Sequence, residues 1–258
     1  LLVCLFARLP VHVLVCFVCL REHLRARSLA YFFARLCLVF LLLMFIGGLT
    51  VEASPFAHAD WQAVLNAYRT TTARVNYEKL NSTGALDGYI TSLETAVVPA
   101  DVNAKMAFWI NAYNALTVDL IADTWPVKTI QDIDGGQVWR TRRFIVAGEK
   151  LTLDEIEKQK LSARQEPRIH FVLNCASVGC PPLNATAFSG EELNRQLNFA
   201  AKSWLPDAGV FIDREAKTLT LSTIFHWYAP DFTDTDTEEI AGVDVRLQAS
   251  IKYRSEEH

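Results

Sequence analysis

The sequence predicts an α+β protein in which helices pack on a small, mainly antiparallel sheet. In the first half of residues 54–258, apolar residues recur at spacings of three and four, as on the buried face of a helix. In the second half, short apolar runs flank turn residues, as in paired strands. Because the helices come first and most strands follow, the elements are segregated and do not alternate as in βαβ units.

Residues 1–53 differ in composition from the rest and predict a signal or targeting segment. A basic patch at residues 21–27 precedes 14 mostly apolar residues at 36–49 and small-residue exits at Ala53 and Ala59, a pattern typical of a cleaved signal peptide. The alternative is a transmembrane anchor, which Arg35 makes less favourable because it interrupts the apolar run. An alternative for residues 1–28 is that they precede the true start of the protein.

We therefore expect a secreted or periplasmic protein, with membrane contact only through an uncleaved N-terminal segment. Residues 1–53 carry five of the 25 Lys and Arg and two of the 29 Asp and Glu. The remaining 20 basic and 27 acidic side chains give residues 54–258 a net charge of −7. An acidic domain without a basic stripe argues against a nucleic-acid partner. Its 205 residues are enough for a single domain with a well-buried core.

Three helices are predicted before residue 125. They cover residues 60–68, 86–95 and 101–123, and Asp101 is placed to cap the longest one. In that helix, Asn111 and Asn114 lie three residues apart beside an apolar stripe. Asn is unfavourable inside a helix, so these two amides are expected either to contact a ligand or to hold a neighbouring loop by bonding its backbone.

The second half predicts strands at residues 138–146, 150–152 and 169–173, and a hairpin of residues 210–213 with 218–221. Thr152 and Ser189 each begin a capping-box pattern and are expected to open helices ending near Leu161 and Trp204. A short helix is expected from Ser222 to about residue 228, ended by Pro230.

The segment HFVLNCASVGCPPL, residues 170–183, holds the strongest candidate site. Cys175 and Cys180 are the two cysteines outside residues 1–53, and His170 precedes them within the same segment. A cysteine becomes a nucleophile when a nearby base lowers its pKa, so this clustering predicts thiol-dependent acyl or peptide chemistry. Strand alternation would point Cys175 away from His170, which favours Cys180 as the nucleophile. Asn111 would then stabilise an oxyanion, and His226 is a second candidate base.

Two alternatives remain open for these residues. In an oxidising compartment the two cysteines would form a structural disulfide, and the protein would be a non-catalytic module that binds a peptide or a small thiol ligand such as glutathione. The expected ligand contacts are then Trp109, Tyr113, Asn114, Trp227 and Tyr228. A metal site is disfavoured because no closely spaced pair of metal ligands is present.

Three motifs resemble those of the family called domain of unknown function 547: FWINAYN at residues 108–114, HFVLNCASVGCPPL at 170–183 and LSTIFHWYAPDF at 221–232. The resemblance covers residues 61–232 and implies a fold and a site without implying a reaction. Plant members carry a leucine zipper and are discussed as interaction proteins, which keeps a binding role open. The family usually has Ile-Glu-His where this sequence has Ile156, Glu157 and Lys158. The order of His170 before the cysteines also resembles permuted papain-like folds.

The sequence lacks the motifs G-x-x-x-x-G-K, G-x-G-x-x-G, G-x-S-x-G and H-E-x-x-H. Nucleotide hydrolysis, dinucleotide redox chemistry, serine esterase activity and zincin proteolysis are therefore disfavoured. We expect no cofactor.

Overall fold

The structure is a computed structural model that describes residues 56–161, 166–176, 179–216 and 218–232, together with Arg35 and strand residues 239–240, 243–244 and 251–253. Apart from Arg35, these residues belong to the second of two units into which the chain divides, Ser54–His258. The predicted signal segment, again apart from Arg35, lies outside the described residues. None of the helices described combines the length and the apolarity that a bilayer crossing needs.

The helices confirm the α+β class, and most of those before residue 125 match the prediction. The described α-helices are α1 Ala59–Tyr68, α2 Tyr77–Thr83, α3 Asp87–Glu94, α4 Val102–Asp123, α5 Val138–Thr141, α6 Leu153–Glu155, α7 Leu193–Trp204, α8 Ile224–Trp227 and α9 Ala229–Phe232. The 3₁₀ segments are Ile130–Gly136 and Pro167–Phe171, and the π-helical turns are Ile156–Leu161 and Leu205–Gly209.

The strands are short and form three small sheets among the described residues. They are β1 Phe144–Val146, β2 Glu149–Leu151, β3 Val210–Asp213, β4 Thr218–Leu221, β5 Glu239–Ile240, β6 Val243–Asp244 and β7 Ile251–Tyr253. Strands β1 and β2 pair antiparallel, as do β5 and β6. In the third sheet β3 pairs antiparallel with β4, which confirms the predicted hairpin, and β4 pairs parallel with β7.

Helix α4 lies at the centre of the main hydrophobic core. Asp101 caps it by accepting a hydrogen bond from the backbone N–H of Ala104 at 2.8 Å, as predicted. The helix is apolar over most of its circumference, and a helix of that kind is buried on all sides. From Ala107 to Leu116 every side chain is buried. Because α1, α3 and the 170–188 region pack around it, this helix fixes where the polar groups of the domain can lie.

A second cluster of buried side chains joins α7 to the β3–β4 hairpin and to α8. It is centred on Phe171, Trp204 and Phe225. The ring centre of Phe171 lies 5.3 Å from that of Trp204 and 6.1 Å from that of Phe225. Phe171 is the neighbour of His170 in the chain. The aromatic packing of Phe171 therefore anchors one end of the segment that carries the candidate site.

Two strand predictions in the second half are wrong, one wholly and one in part. Residues 169–173 form part of the 3₁₀ segment Pro167–Phe171 and not a strand, because Pro167 fixes φ at the first turn and Glu166 caps it through the N–H of Arg168. Residues 138–141 form helix α5, so only the end of the predicted strand 138–146 is extended.

The predicted capping boxes differ in outcome. Thr152 and Glu155 form the predicted reciprocal hydrogen bonds. Ser189 does accept a hydrogen bond from the N–H of Glu192, but the residues after Ser189 form turns and α7 begins only at Leu193. Pro230 does not end the helical region, since it occupies the second position of α9, where a missing N–H costs no helical bond.

His58 provides a test of this fold. Its Nδ1 lies 2.6 Å from the hydroxyl of Tyr89, inside a group of aromatic rings that includes Phe56 and Phe108. Burial lowers the pKa of His58 to about 4. His58 therefore binds a proton near pH 6.5 in the unfolded chain but only near pH 4 in the folded domain. The stability that neutral His58 contributes is complete above pH 6.5 and is lost as the pH falls.

We expect the free energy of unfolding of the wild type to fall between pH 6.5 and 4 by up to about 3 kcal/mol more than that of His58→Phe. Chemical denaturation at several pH values measures this difference. Phe199→Ala is the control, because Phe199 is exposed and has no ionisable group, so its replacement should leave the pH dependence of stability unchanged. Parallel pH curves for wild type and His58→Phe would contradict the burial of His58.

Candidate functional site

A cleft of about 430 Å³ lies beside the two-cysteine loop. Its walls come from Tyr113 of α4, residues 128–140, α6 and the start of the π-helical turn, residues 170–176 and 180–181, and α8. This volume falls within the range of roughly 300–1,000 Å³ that small-molecule sites occupy. His170, Cys175 and Cys180 all line the cleft, so the folded chain brings together three of the four residues predicted to be catalytic.

His170 is held rigidly in the cleft wall. Its side chain is only 3% exposed, and its Nε2 lies 3.0 Å from Oδ2 of Asp231. The ring of Tyr228 stacks on the imidazole with the two ring centres 3.9 Å apart. On the other side, Nδ1 of His170 lies 3.9 Å from Oε1 of Glu157. The imidazole is therefore placed between two carboxyl groups and against one aromatic ring.

Burial is the main influence on the ionisation of this cluster. It lowers the pKa of His170, against the opposing hydrogen bond and charge of Asp231. It raises the pKa of Glu157, although the hydrogen bond from the hydroxyl of Tyr228 acts in the opposite direction. The pKa of Tyr228 is raised by burial and by the neighbouring Glu157. Burial therefore shifts the pKa of His170, Glu157 and Tyr228 in the direction that favours the neutral form of each group.

The hydrogen bond to Asp231 defines the tautomer of the neutral imidazole. A carboxylate can only accept, so Nε2 of His170 donates its hydrogen to Asp231 and Nδ1 carries the lone pair. That lone pair faces Oε1 of Glu157 at a distance of 3.9 Å.

Cys175 and Cys180 form a disulfide with a Cα–Cα distance of 6.1 Å, which lies in the usual range. Both residues are half-buried and line the cleft. Their predicted orientation relative to His170 depended on a straight strand, and the 3₁₀ segment at Pro167–Phe171 removes that basis. In this form neither sulfur is a thiol.

The amides of Asn111 and Asn114 bind the backbone on both sides of the two-cysteine loop. Asn111 donates to the carbonyl of Phe188 at 2.8 Å and accepts from its N–H at 2.9 Å. Asn114 donates to the carbonyl of Val172 at 2.9 Å and accepts from the N–H of Asn174 at 2.8 Å. Both side chains are buried. These bonds correspond to the loop-holding alternative predicted for the two residues.

The residues predicted to contact a ligand fall into two groups. Tyr113, Trp227 and Tyr228 line the cleft, and Trp227 is 51% exposed. Trp109 and Asn114 are buried in the core and do not belong to the cleft lining among the described residues.

Glu157 and Asp231 are the two members of the His170 cluster that sequence reasoning missed. Each lies far from His170 in the sequence, and only the fold brings them within reach. One signal was available for Glu157, because it belongs to the Ile-Glu-His position of the resembling family. Lys158, which takes the place of the histidine, is 59% exposed and pairs with Asp154 at 2.7 Å, so it is not a substitute for an imidazole.

Within the part of the chain that the structure describes, no group of three or more His, Cys, Asp or Glu side chains is arranged to hold a metal ion. The cluster around His170 is instead an arrangement of hydrogen-bond donors and acceptors beside an aromatic wall.

The fold and site define an α+β domain with a cleft closed on one side by a disulfide-bonded loop. The family described as "Protein of unknown function, DUF547" matches residues 99–205, which span α4, the π-helical turn at Ile156, the two-cysteine loop and α7. This part of the chain is similar to that family. No curated protein and no solved structure matches it significantly, so the resemblance to permuted papain-like folds is not confirmed.

Asn114→Ala tests the role of the amide as a clamp on the loop. The substitution leaves the carbonyl of Val172 and the N–H of Asn174 without their partner, so we expect the free energy of unfolding to fall by about 2–4 kcal/mol. Asn66→Ala is the matched control, because Asn66 is exposed on α1 and its loss should cost less than about 0.5 kcal/mol. Equal losses in denaturant titrations of the two variants would contradict the clamp.

Alkylation tests the disulfide. Protein purified without reductant should yield a loop peptide in which neither Cys175 nor Cys180 reacts with iodoacetamide, and the same peptide should carry two labels after reduction. Peptide mapping by mass spectrometry separates these two cysteines from the four in residues 1–53. Labelling of Cys175 or Cys180 before reduction would show a free thiol and support the enzyme hypothesis.

Proposed function

We propose that this domain binds a short peptide or a small thiol ligand in the cleft, with the Cys175–Cys180 disulfide as a structural part of the wall. One observation carries the proposal. Both sulfurs that could act as nucleophiles are joined to each other, while the cleft beside them keeps a volume suited to a small ligand. Binding needs no free thiol, whereas the thiol-enzyme hypothesis does.

The chemistry of the lining supports a peptide-like ligand. Aromatic faces come from Tyr113, Trp139, Trp227 and Tyr228, and hydrogen-bonding groups come from Glu157 and His170. Aromatic rings supply contact area with little loss of conformational entropy, and a few buried polar groups fix the orientation of what binds. Trp227 contributes most at the entrance, since half of its surface is open to solvent.

Thiol-dependent acyl or peptide chemistry is the second candidate, because His170 and both cysteines line one cleft. It requires an external dithiol that reduces the disulfide by transferring two electrons and two protons and is itself oxidised. Cys180 would then attack a carbonyl while His170 accepts its proton. Export to the periplasm or to the outside of the cell, which residues 1–53 favour, keeps cysteine pairs oxidised and thus supports the binding function.

Titration calorimetry with a panel of tripeptides tests the binding function. The panel contains Ala-Ala-Ala, Ala-Phe-Ala, Ala-Glu-Ala, Ala-Lys-Ala and S-methylglutathione, whose blocked sulfur cannot reduce the disulfide, and it is applied to the protein without reductant. We expect at least one to bind in a 1:1 ratio. Trp227→Ala should weaken binding about tenfold because it removes an aromatic contact at the entrance. Phe199→Ala is the matched control, since Phe199 is 67% exposed on α7 and is not part of the lining.

The Cys175→Ser, Cys180→Ser double variant separates the two candidate functions. If the disulfide is structural, a folded double variant retains binding to within a few fold. If the protein is a thiol enzyme, reduced wild type converts a peptide of the panel and Cys180→Ala does not. Failure of every peptide to bind, with or without reductant, would overturn the binding proposal.

A further inference from the structure

The cleft presents charges of both signs at different depths. On one side, Asp154 and Glu157 belong to the wall formed by α6 and the π-helical turn, and the side chain of Glu157 is only 13% exposed. On the other side, Lys128 and Arg140 belong to the wall formed by residues 128–140, and both are exposed. Acidic groups therefore lie deeper than basic ones.

The two basic side chains differ from the six Lys and Arg side chains that are already paired. Arg142, Arg143, Lys158, Lys160, Arg168 and Arg195 each pair with a carboxylate. Within the described residues, Lys128 and Arg140 form no ion pair. Their charges are therefore open to an anionic group that enters the cleft.

The acidic side chains of the inner wall can bind a cationic group. Glu157 lines the cleft together with Tyr228, and its two oxygens offer several acceptor positions. Asp154 pairs through Oδ1 with Lys158 at 2.7 Å and has a second oxygen. Next to these carboxyl groups, Trp139 and Tyr228 also line the cleft, and aromatic faces attract cations. In this part of the cleft an ammonium group can contact both carboxyl groups and aromatic faces.

We infer that the cleft recognises a peptide with free termini, whose N-terminal ammonium group enters first and contacts Glu157 and Asp154 while an anionic group nearer the entrance contacts Lys128 and Arg140. This inference rests on the proposed binding function and names the charge pattern of its ligand. The order of the charges sets the direction in which the peptide enters. A ligand with only one charge forms a favourable charge contact with only one of the two walls.

Capping of the termini tests the direction. The tripeptide of the panel that binds best is measured in its free, N-acetylated and C-amidated forms. Acetylation should weaken binding about tenfold or more, because it leaves a mostly buried carboxyl group without its partner. Amidation should weaken binding about two- to fivefold, as expected for exposed ion pairs. Equal binding of the free and acetylated forms would overturn the inference.

Variants assign each effect to its wall. In Glu157→Gln the effect of acetylation should be reduced because only Asp154 remains charged on that wall, and in Arg140→Gln the effect of amidation should be reduced because only Lys128 remains. Glu191→Gln and Lys202→Gln are the matched controls, since both residues are exposed and neither lines the cleft. If thermal unfolding shows that Glu157→Gln is not folded, Asp154→Asn takes its place, with a reduced effect of acetylation as the expected result.

The outcomes distinguish the two proposals. Binding of all three peptide forms with equal affinity keeps the binding function and overturns the charge assignment. A larger effect of amidation than of acetylation overturns the proposed direction. If no tripeptide binds, both proposals fail together.

Discussion

The structure depends on two amides that lie inside a buried helix. Asn111 and Asn114 are three residues apart on α4, and each binds a backbone donor and a backbone acceptor in the 172–188 region. A buried amide whose hydrogen bonds are not made destabilises the fold, so these four bonds define one position for the loop relative to the helix. The backbone at Val172 and Asn174, from which the two-cysteine loop begins, takes its place from this connection.

The fold was predictable where the local pattern was long and unambiguous. Helix α4 has a clear apolar face and a capping residue at Asp101, and the sequence placed it to within one residue. Residues 169–173 were misassigned because a short apolar run has no period of its own, and Pro167 decided its conformation from outside the run. Helix α2 was missed because it is short and mostly polar, although Asn76 caps it and Gly84 ends it.

The candidate site was only partly predictable for a related reason. His170, Cys175 and Cys180 are neighbours in the sequence, so their proximity was visible before the fold was known. Glu157 and Asp231 reach His170 from distant parts of the chain, and no local pattern indicates such a contact. The sequence leaves open whether Cys175 and Cys180 form a disulfide. In the fold their Cα atoms lie 6.1 Å apart and the two sulfurs are bonded.

The two-cysteine loop is held at two independent edges. On the core side the amide of Asn114 holds the backbone of Val172 and Asn174, and on the cleft side the disulfide joins Cys175 to Cys180. Reduction breaks only the second of these connections. His170 precedes the core-side clamp, and its contacts with Tyr228 and Asp231 do not pass through the disulfide. The redox state of the surroundings therefore acts on the wall of the cleft that holds the two sulfurs and not on the bonds that hold the imidazole.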